Sequence, residues 1–227
     1  MISMVVFVMA GTTVNEDNVV YKTLQKAIHK KGFDFTLDQV LTEGAGKEKL
    51  EAIQSILKKY ARNTNKELAN EIYTDFMDLL SRAYEDIDVL PQPNAEELFQ
   101  ILKERNIRII LNTGYNADIA ESLVNKLGWK KGIEYDSLIT SSDVEKNRPD
   151  PEMIDLAMDI YGVIDPKKVM KVGDSIIDIE EGQNAGCGLN VGITTGAHTF
   201  LQLQSANPDY IINDLLELVP IIDHVKG

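Results

Sequence analysis

Gly173-Asp174-Ser175-Ile176-Ile177-Asp178 sets two carboxylates four residues apart, just behind the strand expected at 169–172. One stands at a strand tip and the other at the start of the next helix. Two hard oxygen donors so placed suit Mg²⁺, which takes few carboxylates and keeps several waters. Asp178 reads equally as a helix cap. Asn112-Thr113-Gly114 offers a hydroxyl and backbone N–H groups at a helix entry, which is a seat for an anion or an ordinary Ser/Thr turn. In Lys146-Asn147-Arg148-Pro149-Asp150-Pro151, Arg148 stands before another helix. Its guanidinium either neutralises a phosphoryl group or is a solvated loop charge.

These residues need a frame that brings them together. The run 5–8 is β-branched and continuous, as in a strand covered on both faces. Gly11-Thr12-Thr13 ends it. Three or four helices follow with no strand between them. Val20, Leu24, Ala27 and Ile28 share one face; Leu50, Ile53, Ile56, Leu57 and Tyr60 a second; Leu68, Ile72, Phe76, Leu79, Leu80 and Ala83 a third. Pro91 and Pro93 punctuate the chain, and the pattern then alternates. Asn94 caps a helix with Leu98, Ile101 and Leu102. Strand 107–112 follows, then a helix with Ile119, Leu123, Val124 and Leu127, then a short strand at 137–140. Pro151 opens a helix that Gly162 closes. Strand 169–172, helix 178–185 and strands 188–193 and 210–212 complete the run. Such alternation predicts an α/β fold, a parallel sheet with helices on both faces, whose ligands bind at the carboxyl ends of the strands. The expected division is a core of 1–14 and 89–227 and an inserted helical domain of 15–88.

The bulk properties exclude other classes. The chain has 227 residues, 23 Lys and Arg against 36 Asp and Glu, and a net charge of −13. Nucleic acid and anionic membranes want a basic face, so neither is an expected partner. Cys187 is the one cysteine, which excludes disulfide scaffolds and multi-cysteine zinc sites and suits a reducing, cytoplasmic setting. The apolar start 1–11 has no basic residue before Lys22 and is far short of the ~20 residues that span a bilayer.

The order of the pieces is more specific than any one of them. It runs strand, Ala10-Gly11-Thr12-Thr13, helical insert, strand, Asn112-Thr113-Gly114-Tyr115, Arg148-Pro149, then Gly173-Asp174-Ser175 through Asn184-Ala185-Gly186, with Thr195-Gly196-Ala197-His198 near the end. This order resembles the haloacid dehalogenase (HAD) superfamily over nearly the whole chain, and its phosphonatase-like branch in particular. The resemblance implies a HAD-like Rossmannoid core with an α-helical cap. It also implies Mg²⁺-dependent cleavage of a small phosphorylated or phosphonate metabolite through an aspartyl-phosphate, by a monomer or homodimer. Thr113 and Gly114 would bind the phosphoryl group and Arg148 would balance its charge. Asp174 would hold Mg²⁺ directly, Asp178 through water, and Ala10 through its backbone carbonyl. In the phosphonatase branch an insert lysine can form a Schiff base with an aldehyde. Gly44-Ala45-Gly46-Lys47 resembles that branch's Gly-x-x-Lys, so Lys47 is its candidate, beside the reading of a solvated lysine at a helix start.

One departure stands out. Where the family has its nucleophilic aspartate, Phe7-Val8-Met9-Ala10 has Val8. Valine carries no lone pair to attack phosphorus and no donor for a metal. The scaffold therefore reads as a hydrolase with impaired turnover and with weak or absent Mg²⁺, as a silent binder of phosphate or phosphonate, or as a variant of an active enzyme. Ala10, in place of a second aspartate, matches the phosphonatase branch. His198 reads as an exposed loop residue or one near substrate, Tyr115 as a pocket wall or sheet cover, and Met9 and Cys187 as packing.

Overall fold

A computed structural model describes residues 1–86 and 88–224. Its strands are β1 (Met4–Val8), β2 (Val14–Asn15), β3 (Leu90–Pro91), β4 (Arg108–Thr113), β5 (Ser137–Thr140), β6 (Val169–Gly173), β7 (Leu189–Ile193) and β8 (Tyr210–Ile212). The main helices of the first half are α1 (Val19–Lys30), α2 (Leu37–Gly44), α3 (Lys49–Ala61) and α4 (Lys66–Asp86). Those of the second are α5 (Ala95–Glu104), α6 (Ala117–Leu127), α7 (Glu152–Tyr161), α8 (Ile176–Asn184), α9 (Phe200–Ser205) and α10 (Leu218–His224).

Six strands form one parallel sheet in the order β5-β4-β1-β6-β7-β8. From β1 the chain first builds outward through β4 and β5, then returns to the other side of β1 through β6, β7 and β8. The reversal falls at β1, and a crevice opens there at the carboxyl ends. Val8 ends β1 in register with Asn112. β1 is buried throughout and alternates between two clusters. Val5 and Phe7 pack with Leu98, Phe99 and Leu102 of α5, and Met4 and Val6 with Met153, Ile154 and Ala157 of α7. Two faces covered by helices explain the continuous apolar run. Phe99 carries the first cluster outward, with ring centroids 5.7 Å from Phe7 and 5.2 Å from Trp129. Each such buried side chain contributes about 1.5–3 kcal/mol.

Helices α1 to α4 pack on one another through Val20, Leu24, Ile53, Ile56, Ile72 and Phe76, all fully buried. The chain enters and leaves this helical block through β2 and β3, which pair antiparallel, Val14 with Pro91 and Asn15 with Leu90. No described residue of α1 to α4 pairs with the sheet. Residue 87, beside the expected boundary, and 225–227 lie outside the described residues. We propose this paired junction as the border between cap and core.

Some local expectations shift. Asn94 stands at the start of α5 with φ 66°; its side-chain amide N–H donates to Asp214 at 2.6 Å, and its side chain accepts no bond from the helix N–H groups. Pro151 precedes α7, which begins at Glu152, and Gly162 closes it with φ 65°. The short helices α9 and α10 are additions to the expected elements, whereas α2 is the fourth of the three or four helices expected in the insert. Helices α2 and α9 open on a capping box, Thr36 with Gln39 and Thr199 with Gln202.

Candidate active site

The carboxyl ends of β1, β4 and β6 and the loop between α2 and α3 enclose a small cavity. Val8, Ala10, Thr113, Gly114, Arg148 and Asp174 line it from the sheet side, and Tyr21, Gly46 and Lys49 from the helical block. Tyr115 completes the wall.

Asp174 follows β6 and is gripped from two sides. Thr12 Oγ1 donates to Oδ1 at 3.0 Å, and the Ala197 N–H donates to Oδ2 at 2.8 Å. Gly11, with φ 83°, and Gly196 permit this approach; a Cβ at either would stand 2.4 and 2.1 Å from Asp174 Oδ2. Burial, and then the charge of Asp178, push the Asp174 carboxyl up to about 7. His198 belongs to the same cradle. Its N–H donates to the Asp174 carbonyl at 3.1 Å, and its Nδ1 accepts from the Ile176 N–H at 3.0 Å. It is buried, which overturns the exposed reading.

Asp178 does both things its position allows. Oδ2 accepts from the Ser175 N–H and Oγ at 2.9 and 2.5 Å, closing a capping box on α8. Oδ1 pairs with Arg148 Nη1 at 2.8 Å. Arg148 is no solvated loop charge. Its Nη2 donates to Asn112 Oδ1 at 2.7 Å, and Nε lies 3.1 Å from Glu181 Oε2. Glu181 also takes Lys171 Nζ at 2.7 Å, and Lys171 donates to Asn112 Oδ1 at 2.6 Å. Arg148 thus edges the cavity with Nη1 and Nη2 hydrogen-bonded into a buried network, while Nε is paired with Glu181 by charge and makes no hydrogen bond. Thr113 is the freer group: Oγ1 accepts from the Tyr115 N–H at 3.1 Å, leaving its proton for a ligand oxygen.

The lysine of the site is Lys49 and not Lys47. Lys47 Nζ donates to Glu43 at 2.9 Å and to Ser55 Oγ at 3.1 Å, away from the cavity. Lys49 is 2% exposed. Its Nζ donates to the Lys47 carbonyl and lies 5.1 Å from the ring centroid of Tyr21 and 5.0 Å from that of Tyr115. Burial lowers its pKa to about 8. The signal for it was present: Gly46-Lys47-Glu48-Lys49 is a Gly-x-x-Lys counted from Gly46 rather than from Gly44. Tyr21 had no such signal, because it sits on an amphipathic helix as one more apolar position. Its Oη accepts from the Gly46 N–H at 3.0 Å.

The donors present do not make a Mg²⁺ site. Val8 contributes only methyl groups. Asp178 has both oxygens engaged by Ser175 and Arg148, and Asp174 has both engaged by Thr12 and Ala197. Among the described residues no three His, Cys, Asp or Glu gather as metal ligands. One carboxylate and the backbone at Ala10 are too few to hold a cation that gives up its waters reluctantly.

Residues 2–186 match the haloacid dehalogenase-like hydrolase family. The chain belongs to the haloacid dehalogenase-like hydrolases. Among relatives of this HAD chain is a phosphonoacetaldehyde hydrolase of Parabacteroides distasonis, 35% identical over 179 residues, which are 74% of this chain and 66% of that protein. The match therefore spans just under two thirds of that relative. The fold is shared with a hydrolase from Pseudomonas syringae, with a TM-score of 0.86 at 18% identity over 98% of this chain and 99% of the other. It is shared too with a phosphonoacetaldehyde hydrolase-like protein from Oleispira antarctica, with a TM-score of 0.83 at 21% identity over 99% and 92%. No described helix of this HAD chain is long and apolar enough to cross a membrane.

Proposed function

We propose that this HAD-lineage hydrolase scaffold binds a small phosphorylated or phosphonate metabolite, and that turnover through an aspartyl-phosphate is lost at Val8. One observation carries the reading. The Val8 side chain sits on the cavity wall at the end of β1, facing the same space as Thr113, Lys49 and Asp174. The anion seat is built and the nucleophile's corner is apolar. Thr113 Oγ1–H and Lys49 supply the free donors, and Arg148 holds the seat's shape through Asp178 and Asn112.

Lys49 favours a second, compatible reading of the ligand. A buried amine lowered to about 8 is neutral in roughly a tenth of molecules at neutral pH, far more than an ordinary lysine. Its lone pair adds to a carbonyl carbon and water leaves, giving an imine. That chemistry needs neither Val8 nor a metal, and it suits a phosphonate bearing an aldehyde. The Parabacteroides relative is named for such a compound.

The test is to assay the unmodified chain beside Val8→Asp with an aryl phosphate and with phosphonoacetaldehyde. The unmodified chain stays silent, since removal of a nucleophile can cost about 10⁶-fold in rate. Val8→Asp gains hydrolysis that requires added Mg²⁺, because the new carboxylate completes the donor set, and Asp174→Ala abolishes the gain. Robust turnover by the unmodified chain overturns the proposal.

A further inference from the structure

Tyr21 is the buried hydroxyl of the cavity that the reading above leaves without a task. It is 6% exposed, and its ring forms one side of the slot that holds Lys49, with Tyr115 forming the other. The two phenols differ in where their protons go. Tyr115 Oη donates to Glu16 at 2.9 Å. Tyr21 Oη instead accepts from the Gly46 N–H, and no described residue accepts the Tyr21 proton. A buried donor without an acceptor is costly, and such groups mark places where a partner belongs. The open space beside this one is the cavity, with the Lys49 amine next to it.

We propose that Tyr21 donates its hydrogen bond to the carbonyl oxygen of the ligand that Lys49 captures, and that it protonates this oxygen as the bond to nitrogen forms. The proposal rests on the imine reading of Lys49. In the addition step the Nζ lone pair forms the C–N bond and the carbonyl π pair moves to oxygen. That oxygen takes the Tyr21 proton. The phenolate is stabilised by the Gly46 N–H that already points at it, and it recovers a proton from the positively charged nitrogen of the adduct. A neutral carbinolamine results, and its hydroxyl departs as water when the imine forms. Burial holds the Tyr21 phenol well above its usual range, so it enters the step protonated. Specificity follows from the same contact: a ligand with an oxygen acceptor at this end is preferred over one ending in a methyl group.

The variant is Tyr21→Phe, which keeps the ring against Lys49 and removes only the O–H. Two readings are taken on the full chain. The first is the rate at which borohydride fixes phosphonoacetaldehyde on Lys49, followed by mass spectrometry. The second is the affinity for methylphosphonate by calorimetry, a ligand with the anion and no carbonyl. We expect trapping to slow by about 10²-fold, the low end for general acid catalysis, while methylphosphonate affinity stays within about twofold. Equal trapping rates in the two proteins overturn the proposal. So does a parallel fall in methylphosphonate affinity, since that is the mark of a merely structural role. If the unmodified chain traps no aldehyde yet binds methylphosphonate, Tyr21 and the imine reading fall and the anion seat stands. If it does neither, the anion reading falls with them.

Discussion

Two residues separate Lys47 from Lys49, and the difference in their surroundings decides their chemistry. Lys47 pairs with the Glu43 carboxylate of α2, away from the cavity. Lys49 begins α3 and is buried between two aromatic rings, where burial disfavours the charged form. The sign of its pH dependence follows. Below about 8 the Lys49 amine is mostly protonated and cannot add to a carbonyl. Above it the neutral form dominates. Reductive trapping of phosphonoacetaldehyde should therefore rise with pH through about 8 and then level off. Lys49→Met should abolish the label, and Lys47→Met should leave it in place. A label found on Lys47, or a rate that rises only near the ordinary lysine range, would remove Lys49 from its role.

At the scale of elements, the loop between α2 and α3 decides whether the cavity exists. Gly46 has φ 75°, and a Cβ there would stand 2.3 Å from Ile177 Cγ2. On the facing side a Cβ at Gly114 would meet the Gly46 and Lys47 carbonyl oxygens at 2.6 and 2.9 Å. Those oxygens are backbone, so the loop must retreat and carry Lys49 with it. Gly114→Ala should lower methylphosphonate affinity about tenfold while the melting temperature moves by only a few degrees. Affinity unchanged in calorimetry would mean that the loop does not need this closeness. The strands of the sheet were legible in the sequence because buried parallel strands show as apolar runs, and β5 and β8 match their expected ranges. The convergence of Thr113, Arg148 and Asp174 on one crevice was legible too, since each follows a strand or opens a helix. The loop was not. Its register turns on which of two glycines meets Ser175 and Ile177 at the start of α8, a long-range contact that local spacing does not encode. Arg148's commitment to Glu181 was hidden for the same reason, as nothing in the helical pattern of α8 marks its acidic residue as buried.

Over the whole molecule, the sheet is bound to its helices at the centre by charge as well as by apolar packing. Asn112 of β4, Lys171 of β6, Asp178 and Glu181 of α8 and Arg148 before α7 form one network with side chains at most about 2% exposed. Gly182 packs against it, where a Cβ would stand 2.1 Å from Asn190 Oδ1 and 2.7 Å from Lys171 Cβ, so the helix lies close to the strand. Charges this deep gain strong mutual attraction but lose hydration, and a matched set is close to neutral for stability. Breaking it is another matter. Glu181→Leu leaves Lys171 Nζ and Arg148 Nε facing a hydrocarbon, and should destabilise the chain by about 3–5 kcal/mol, lowering the melting temperature by roughly 10 °C. Lys171→Met alone leaves Glu181 with Arg148 and Asn112, so its cost should be smaller. In the double variant Lys171→Met/Glu181→Leu the ammonium that Glu181 satisfied is gone as well. The double variant should therefore be more stable than the sum of the two single changes implies, by about 2 kcal/mol in urea unfolding. Additivity within about 0.5 kcal/mol would show that Lys171 and Glu181 do not act as a pair. Because Asp178 and Ser175 remain in place in all three proteins, methylphosphonate affinity separates the two roles of the network. It should hold in Lys171→Met and fall in Glu181→Leu, where Arg148 loses the carboxylate charge 3.1 Å from its Nε that holds it beside Asn112 and Asp178.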